Sequence, residues 1–354
     1  MVEFNAASPP ELIHDSQAAR GNARVCAPLK FVGHRWLRRA AAVGACLLAL
    51  GQAHAEEITL KAVNAFQEGT YFAKSFENFV KRVNAEGKGI IRINYLGGPK
   101  AMPATEHATA LRRGVIDIAN TTASYTANLV PEGMALSFSP VRMDKLRQNG
   151  GLEYLNNLYI DKGLFYLGRT AEGIPYHIFT NKKTDHADLT GQKLRIAAIY
   201  RDFFQSMGAT VLQTAAGEVY TALERGVVDG FGWPLVGIFD FGWQEKVKYR
   251  IDPGFYSVET GMVLSAATWK KLTPEQRDFL QKQAIQLEAD NLAKVQADMD
   301  AEKKRIDGAG IQTITLNAAE SQKFLKTAAD TGWDGLVKIS PTHGPKLREL
   351  MSGR

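Results

Sequence analysis

Cysteine is nearly absent. The 354-residue chain has two, Cys26 and Cys46, and both precede residue 55. Beyond that point no disulfide, thiolate nucleophile or cysteine metal ligand is available. Histidine is sparse as well. Past residue 55 only His107, His177, His186 and His343 occur, and no two have the H-x-x-x-H spacing of a zinc site. Neither G-x-S-x-G nor G-x-x-x-x-G-K-[ST] is found, so the signatures of a hydrolase nucleophile elbow and a phosphate loop are missing. Carboxylates are plentiful, but no spacing singles out an acid/base pair. No catalytic residue and no metal ligand is therefore assigned.

What is present begins with a leader. Arg35-Trp36-Leu37-Arg38-Arg39 is a basic cluster, residues 40–51 are apolar, and Ala53-His54-Ala55 is a small-x-small cleavage site. That order predicts a secretory signal in residues 1–55, since an apolar run this short does not span a bilayer. Residues 1–33 are polar and irregular and precede the signal. Removing the leader's six Lys/Arg and three Asp/Glu from the chain's 43 and 37 lowers the formal charge from +6 to +3. A balance this mild predicts no nucleic-acid partner; it suits a small anion.

The rest is organised around residues 192–234, QKLRIAAIYRDFFQSMGATVLQTAAGEVYTALERGVVDGFGWP. Short branched apolar runs alternate with helix-like runs closed by Gly208 and Gly226. The order is β-α-β-α-β, the pattern of a parallel sheet with crossover helices. Residues 56–120 show the same order. The last helix-to-strand junctions nearly coincide: ALRRGVID at 110–117 and ALERGVVD at 222–229. ALxRGVxD is a common way to stop a helix on a glycine. Two copies in the same slot predict two similar lobes, able to close on a ligand by a hinge.

LFYLGR (164–169) and PYHIFTN (175–181) read as strands passing between lobes, and residues 255–266 as one strand returning. Thr273-Pro274-Glu275 opens a helix that runs to about residue 305, some 45 Å at 1.5 Å per residue. It is expected either to brace both lobes or to lie as a solvated outer helix. The lobes divide as residues 56–173 with 259–300, and 174–258 with 301–354.

In open α/β sheets the ligand crevice lies off the carboxyl ends of the strands. The loops after the first-lobe strands, Phe66-Gln67-Glu68-Gly69 and residues 120–125 with Thr122 and Tyr125, are therefore candidate contacts; the alternative is ordinary turn chemistry. Arg195 stands inside the apolar strand LRI. A guanidinium there needs a partner: an internal ion pair, an exposed edge, or a ligand carboxylate held by two parallel hydrogen bonds. Aromatics crowd the same predicted crevice: Phe231, Trp233, Phe255, Tyr256 and Tyr176. Each alone reads more readily as core packing.

LTGQKLR at 189–195, FFQSMGA at 203–209 and GEVYTALERGVVDG at 217–230, in that order, resemble the solute-binding proteins of tripartite ATP-independent periplasmic (TRAP) transporters, the DctP family. The resemblance covers about residues 56–350. It implies an α/β, two-lobed, type II-like periplasmic binding protein. Each lobe would be a mostly parallel sheet flanked by helices, with a long bracing helix near the C-terminus. It implies capture of a small organic acid and delivery to TRAP permease subunits in the membrane. The family's ligand-gripping arginine falls on Arg195, the glutamate of its GEVY segment on Glu218, and its contact after the VDG strand on Trp233. Its first-lobe contact loop falls on Thr122 to Tyr125.

Two departures steer the ligand away from sialic acid. Tyr176 stands where those members have a second arginine, and Trp233 where they have asparagine. Trp233 with Pro253-Gly254-Phe255-Tyr256 is closer to members binding 2-oxo or hydroxy monocarboxylates, some with a ligand-bridging cation. Glu259 sits slightly late for that cation's acidic ligand, so no cofactor is assigned. A secreted α/β enzyme for a small carboxylate and a receptor for a sensor kinase are the alternatives.

Overall fold

The computed structural model describes residues 56–184 and 188–353. The leader, both cysteines and His186 lie outside the described residues.

Among the described residues eleven strands form two sheets. In chain order they are β1 (Ile58–Asn64), β2 (Ile91–Tyr95), β3 (Ile118–Thr121), β4 (Leu164–Ala171), β5 (Tyr176–Thr180) and β6 (Lys193–Ile196). There follow β7 (Thr210–Gln213), β8 (Gly230–Pro234), β9 (Tyr249–Phe255), β10 (Thr260–Ser265) and β11 (Gln312–Thr315). The first sheet runs β2-β1-β3-β10-β4, and the second β7-β6-β8-β5-β9-β11. The orders correspond strand for strand, with β11 added at one edge. In each sheet a single strand opposes the rest, β10 in one and β5 in the other. These are the two strands that arrive from the other lobe. A chain crossing between lobes enters at the carboxyl edge of the new sheet and so must run backwards through it.

The sequence dictates this locally. In the helix Tyr71–Glu86, Phe72, Phe76, Phe79 and Val83 recur at helical spacing and are buried. The chain then passes Gly87, where a Cβ would lie 2.6 Å from both Val83 O and Ile91 O. The two matched junctions are both Schellman stops. Val115 and Val227 N–H donate to Ala110 O and Ala222 O at 2.9 Å, across Gly114 and Gly226 in the left-handed region.

The expected single strand over 255–266 is instead the end of β9, a break, and β10. The chain turns at Tyr256 (φ 45°), whose hydroxyl donates to Ala328 O at 2.8 Å. The long helix is Pro274–Gly308, 35 residues, about 52 Å. Its start is a capping box: Gln276 N–H donates to Thr273 Oγ1 at 3.3 Å, and Thr273 N–H to Gln276 Oε1 at 3.0 Å. Leu280, Ala284 and Leu287 pack into the first sheet's core, and Ile306 into the second's. The helix thus touches both lobes. The last helix, Gly344–Met351, buries Leu347 and Met351 beside Leu136 and Leu155.

Candidate functional site

A cavity lies where the carboxyl ends of the two sheets face each other. The first lobe contributes Phe66 and Phe72, past the end of β1, and Thr122, Ser124 and Tyr125, past β3. The second contributes Tyr176, Arg195, Ala197, Tyr200, Trp233 and Pro234. Val258 and Thr260 line it from the returning chain.

Arg195 is 2% exposed. Its Nε and Nη2 donate to Thr214 O at 3.1 and 2.7 Å, and Nη1 lies 3.4 Å from the Tyr200 hydroxyl. The Trp233 ring centre is 5.6 Å from its Cζ. Two other buried arginines serve as internal controls. Arg169 donates to Glu172 Oε2 at 2.6 Å, and Arg250 donates to both Asp252 oxygens at 3.0 Å. Among the described residues Arg195 is the buried arginine with no carboxylate partner. Uncompensated buried charge is costly, so the arrangement calls for an anion from outside.

Tyr200 braces the arginine. Its hydroxyl donates to Gly232 O at 2.6 Å. A Cβ at Gly232 would stand 2.6 Å from the Tyr200 ring, so this approach requires glycine. The hydroxyls of Tyr125 and Tyr176 have no protein hydrogen-bond partner among the described residues. Burial pushes both above the ordinary phenol range, against the pull of Arg195. Both stay neutral and can donate. The Trp233 indole N–H is likewise buried without a partner.

Behind the first-lobe wall lies Glu259, 1% exposed. It accepts from Ala123 N–H and the Tyr166 hydroxyl at 2.8 Å, and from Thr122 Oγ1 at 3.3 Å. Burial pushes its carboxyl up, and these donors oppose that. Its role here is to hold the Thr122–Tyr125 loop. Among the described residues no three His, Cys, Asp or Glu side chains gather as a metal site.

Phe66, Thr122, Tyr125, Tyr176, Arg195 and Trp233 thus converge on the cavity. Glu218 does not line it. It stands exposed in an outer groove that shares Ser124, Tyr125, Arg195 and Ala197 with the cavity. Phe231 and Phe255 do not line it either. Phe231 shares a face of β8 with Trp233 but lies two residues further from the strand's end, stacked on Phe179 at 5.3 Å. Phe255 sits one layer deeper, against Tyr176, Tyr200 and Phe203.

Phe72 and Tyr200 were not anticipated. Phe72 reads as one more core position of an amphipathic helix. Tyr200 follows the end of β6, so the carboxyl-end rule had a signal for it.

Residues 63–336 match the family model DctP, bacterial extracellular solute-binding protein family 7. A solute-binding protein of Albidiferax ferrireducens is 23% identical over 286 residues, covering 75% of this chain and 82% of that protein. A monocarboxylate 2-oxoacid-binding periplasmic protein of Nostoc sp. is 22% identical, covering 73% and 72%. A TRAP periplasmic solute-binding protein of Desulfovibrio salexigens, crystallised with orotic acid, superposes with a TM-score of 0.73 at 20% identity, covering 82% of this chain and 96% of that one.

Proposed function

The chain belongs to bacterial extracellular solute-binding protein family 7, and from the lining of its cavity we propose that it captures an organic acid with a single carboxylate and an aromatic or otherwise flat body. It is a periplasmic solute-binding protein of a TRAP transporter; its cargo passes to the membrane permease. The carrying observation is Arg195, a buried guanidinium on the cavity wall with no carboxylate partner among the described residues.

Among the described residues the cavity wall has no second cation, which disfavours a dicarboxylate. Phe66, Phe72 and Trp233 suit a flat body. The free hydroxyls of Tyr125 and Tyr176 suit an acceptor beside the carboxylate, as in a 2-oxo or 2-hydroxy acid. The Nostoc relative's description agrees with that class. A charged hydrogen bond gives about 1.5–3 kcal/mol, whereas micromolar binding needs about 8 kcal/mol. Ring contacts and apolar burial supply most of the rest.

A thermal-shift screen of small carboxylic acids tests the class, because a bound acid raises the melting temperature by mass action. Calorimetry with Arg195→Ala tests the clamp. Unchanged affinity in the variant, or a tightest ligand without an anionic group, overturns the reading.

A further inference from the structure

The loop after β8 reaches across the cleft. Residues Ile238–Phe241 form one tight turn between Gly237 (φ 96°) and Gly242 (φ 71°). Near its end Asp240 Oδ2 accepts the backbone N–H of Tyr71 at 2.7 Å. Tyr71 opens the 16-residue first-lobe helix Tyr71–Glu86. That helix lacks a cap of its own. The Thr70 hydroxyl donates to Gln67 O at 2.6 Å instead, and the first turn carries no acidic residue. First-turn amides carry unsatisfied donors and a positive partial charge. Here a carboxylate of the opposite lobe answers them.

The turn is held firmly on its own side. Gly237 N–H donates to Glu302 Oε1 at 2.9 Å, Arg305 donates to Glu302 Oε2 at 2.8 Å, and the Arg305 guanidinium lies 4.0 Å over the Phe239 ring. Next to Tyr71 is Phe72, a cavity wall. It meets Trp233 edge-on across the cleft at 6.3 Å. The carboxylate–amide bond and the ring pair therefore tie the start of one helix to β8 and to the turn that follows it.

We propose that Asp240 is a positioning residue for ligand capture. By capping the first-lobe helix from the second lobe, it holds Phe72 against the ligand opposite Trp233 and slows escape. This rests on the reading of the cavity as an acid-binding site between closing lobes. Asp240 is exposed, so the effect is modest.

The test uses whichever of pyruvate, lactate, benzoate and orotate raises the melting temperature most. It is titrated against wild type, Asp240→Ala, Asp240→Asn and Arg195→Ala. Asp240→Ala should bind about fivefold more weakly, the size of one lost cap, chiefly through faster dissociation, with the ligand-free melting temperature nearly unchanged. Asp240→Asn keeps an acceptor oxygen and should stay within about twofold of wild type, since only the charge–dipole part is lost. Wild-type affinity in Asp240→Ala overturns the proposal, as does an Asn variant as weak as Ala, or a loss matched by a drop in ligand-free stability. If Arg195→Ala binds normally, or none of the four acids binds, the underlying reading fails instead.

Discussion

The two lobes share their wiring at one end and differ at the other. At the amino ends of the strands they are copies. Lys61 N–H donates to Asp117 Oδ2 at 2.8 Å, and Lys193 N–H to Asp229 Oδ2 at 2.9 Å. Asp117 and Asp229 return the bond from their own N–H to Lys61 O and Lys193 O. Two residues past these matched lysines the copies part. The first lobe has Val63, buried in its core, and the second has Arg195. The end of the sheet away from the cleft preserves the fold, and the end facing the cleft carries the chemistry. Both lobes supply aromatic walls, and the second alone supplies the charge.

The largest effect should come from removing what holds the uncharged wall. Glu259→Ala leaves the Tyr166 hydroxyl and Ala123 N–H without a partner, and should cost about 2–4 kcal/mol in denaturant unfolding. Glu259→Gln keeps an acceptor and should lose much less. Equal losses would mean that burial volume, not hydrogen bonding, is what Glu259 provides.

Making the lobes alike comes next. Arg195→Leu should weaken acid binding by about tenfold to a hundredfold in calorimetry. Stability without ligand should hold or rise, because an unpaired buried cation has gone. A large drop in stability would show the arginine to be structural.

A third test is acid titration of the second lobe's own ion pair. Burial pushes the Asp252 carboxyl up, but bonds from His177 and Arg250 outweigh it and hold the group at about 2. Its contribution is therefore present above the unfolded value of about 4 and is lost as pH falls toward 2. Partial exposure limits it to about 1 kcal/mol. Thermal melts of wild type and Asp252→Asn should converge as pH falls across that window. Parallel curves would assign the acid sensitivity elsewhere.

The smallest effect probes the shared junctions. Gly114→Ala and Gly226→Ala each force a side chain into the left-handed region, at φ 69° and 66°, and should cost about 1 kcal/mol apiece. Unequal costs would break the equivalence of the two stops.

Much of this was legible in the chain. The β-α-β order and the repeated junction follow from local periodicity and glycine placement. Arg195 stood out because a charge in an apolar strand demands a partner. Depth was not legible. Phe231 and Trp233 lie on one face of one strand, and only the position of the strand's end decides which of them meets the cavity. Nor could spacing pair Asp240 with Tyr71, 169 residues apart, or foresee that Glu259 would turn inward to the Thr122 loop. Such contacts are set by how the lobes meet, which periodicity does not encode.

The long helix has one more consequence. Its buried positions run from Gln276 to Glu288 and resume at Glu302, with none between. Between those anchors it is held by polar ties instead: Asn291 Nδ2 donates to Ser75 Oγ and Thr170 O at 2.8 and 2.9 Å, and the Tyr71 hydroxyl donates to Asp298 Oδ2 at 2.8 Å. Any widening of the cleft must then break those ties, flex the helix or pull Ile306 from its seat, so the gape of the jaws is limited by the stiffness of a single beam.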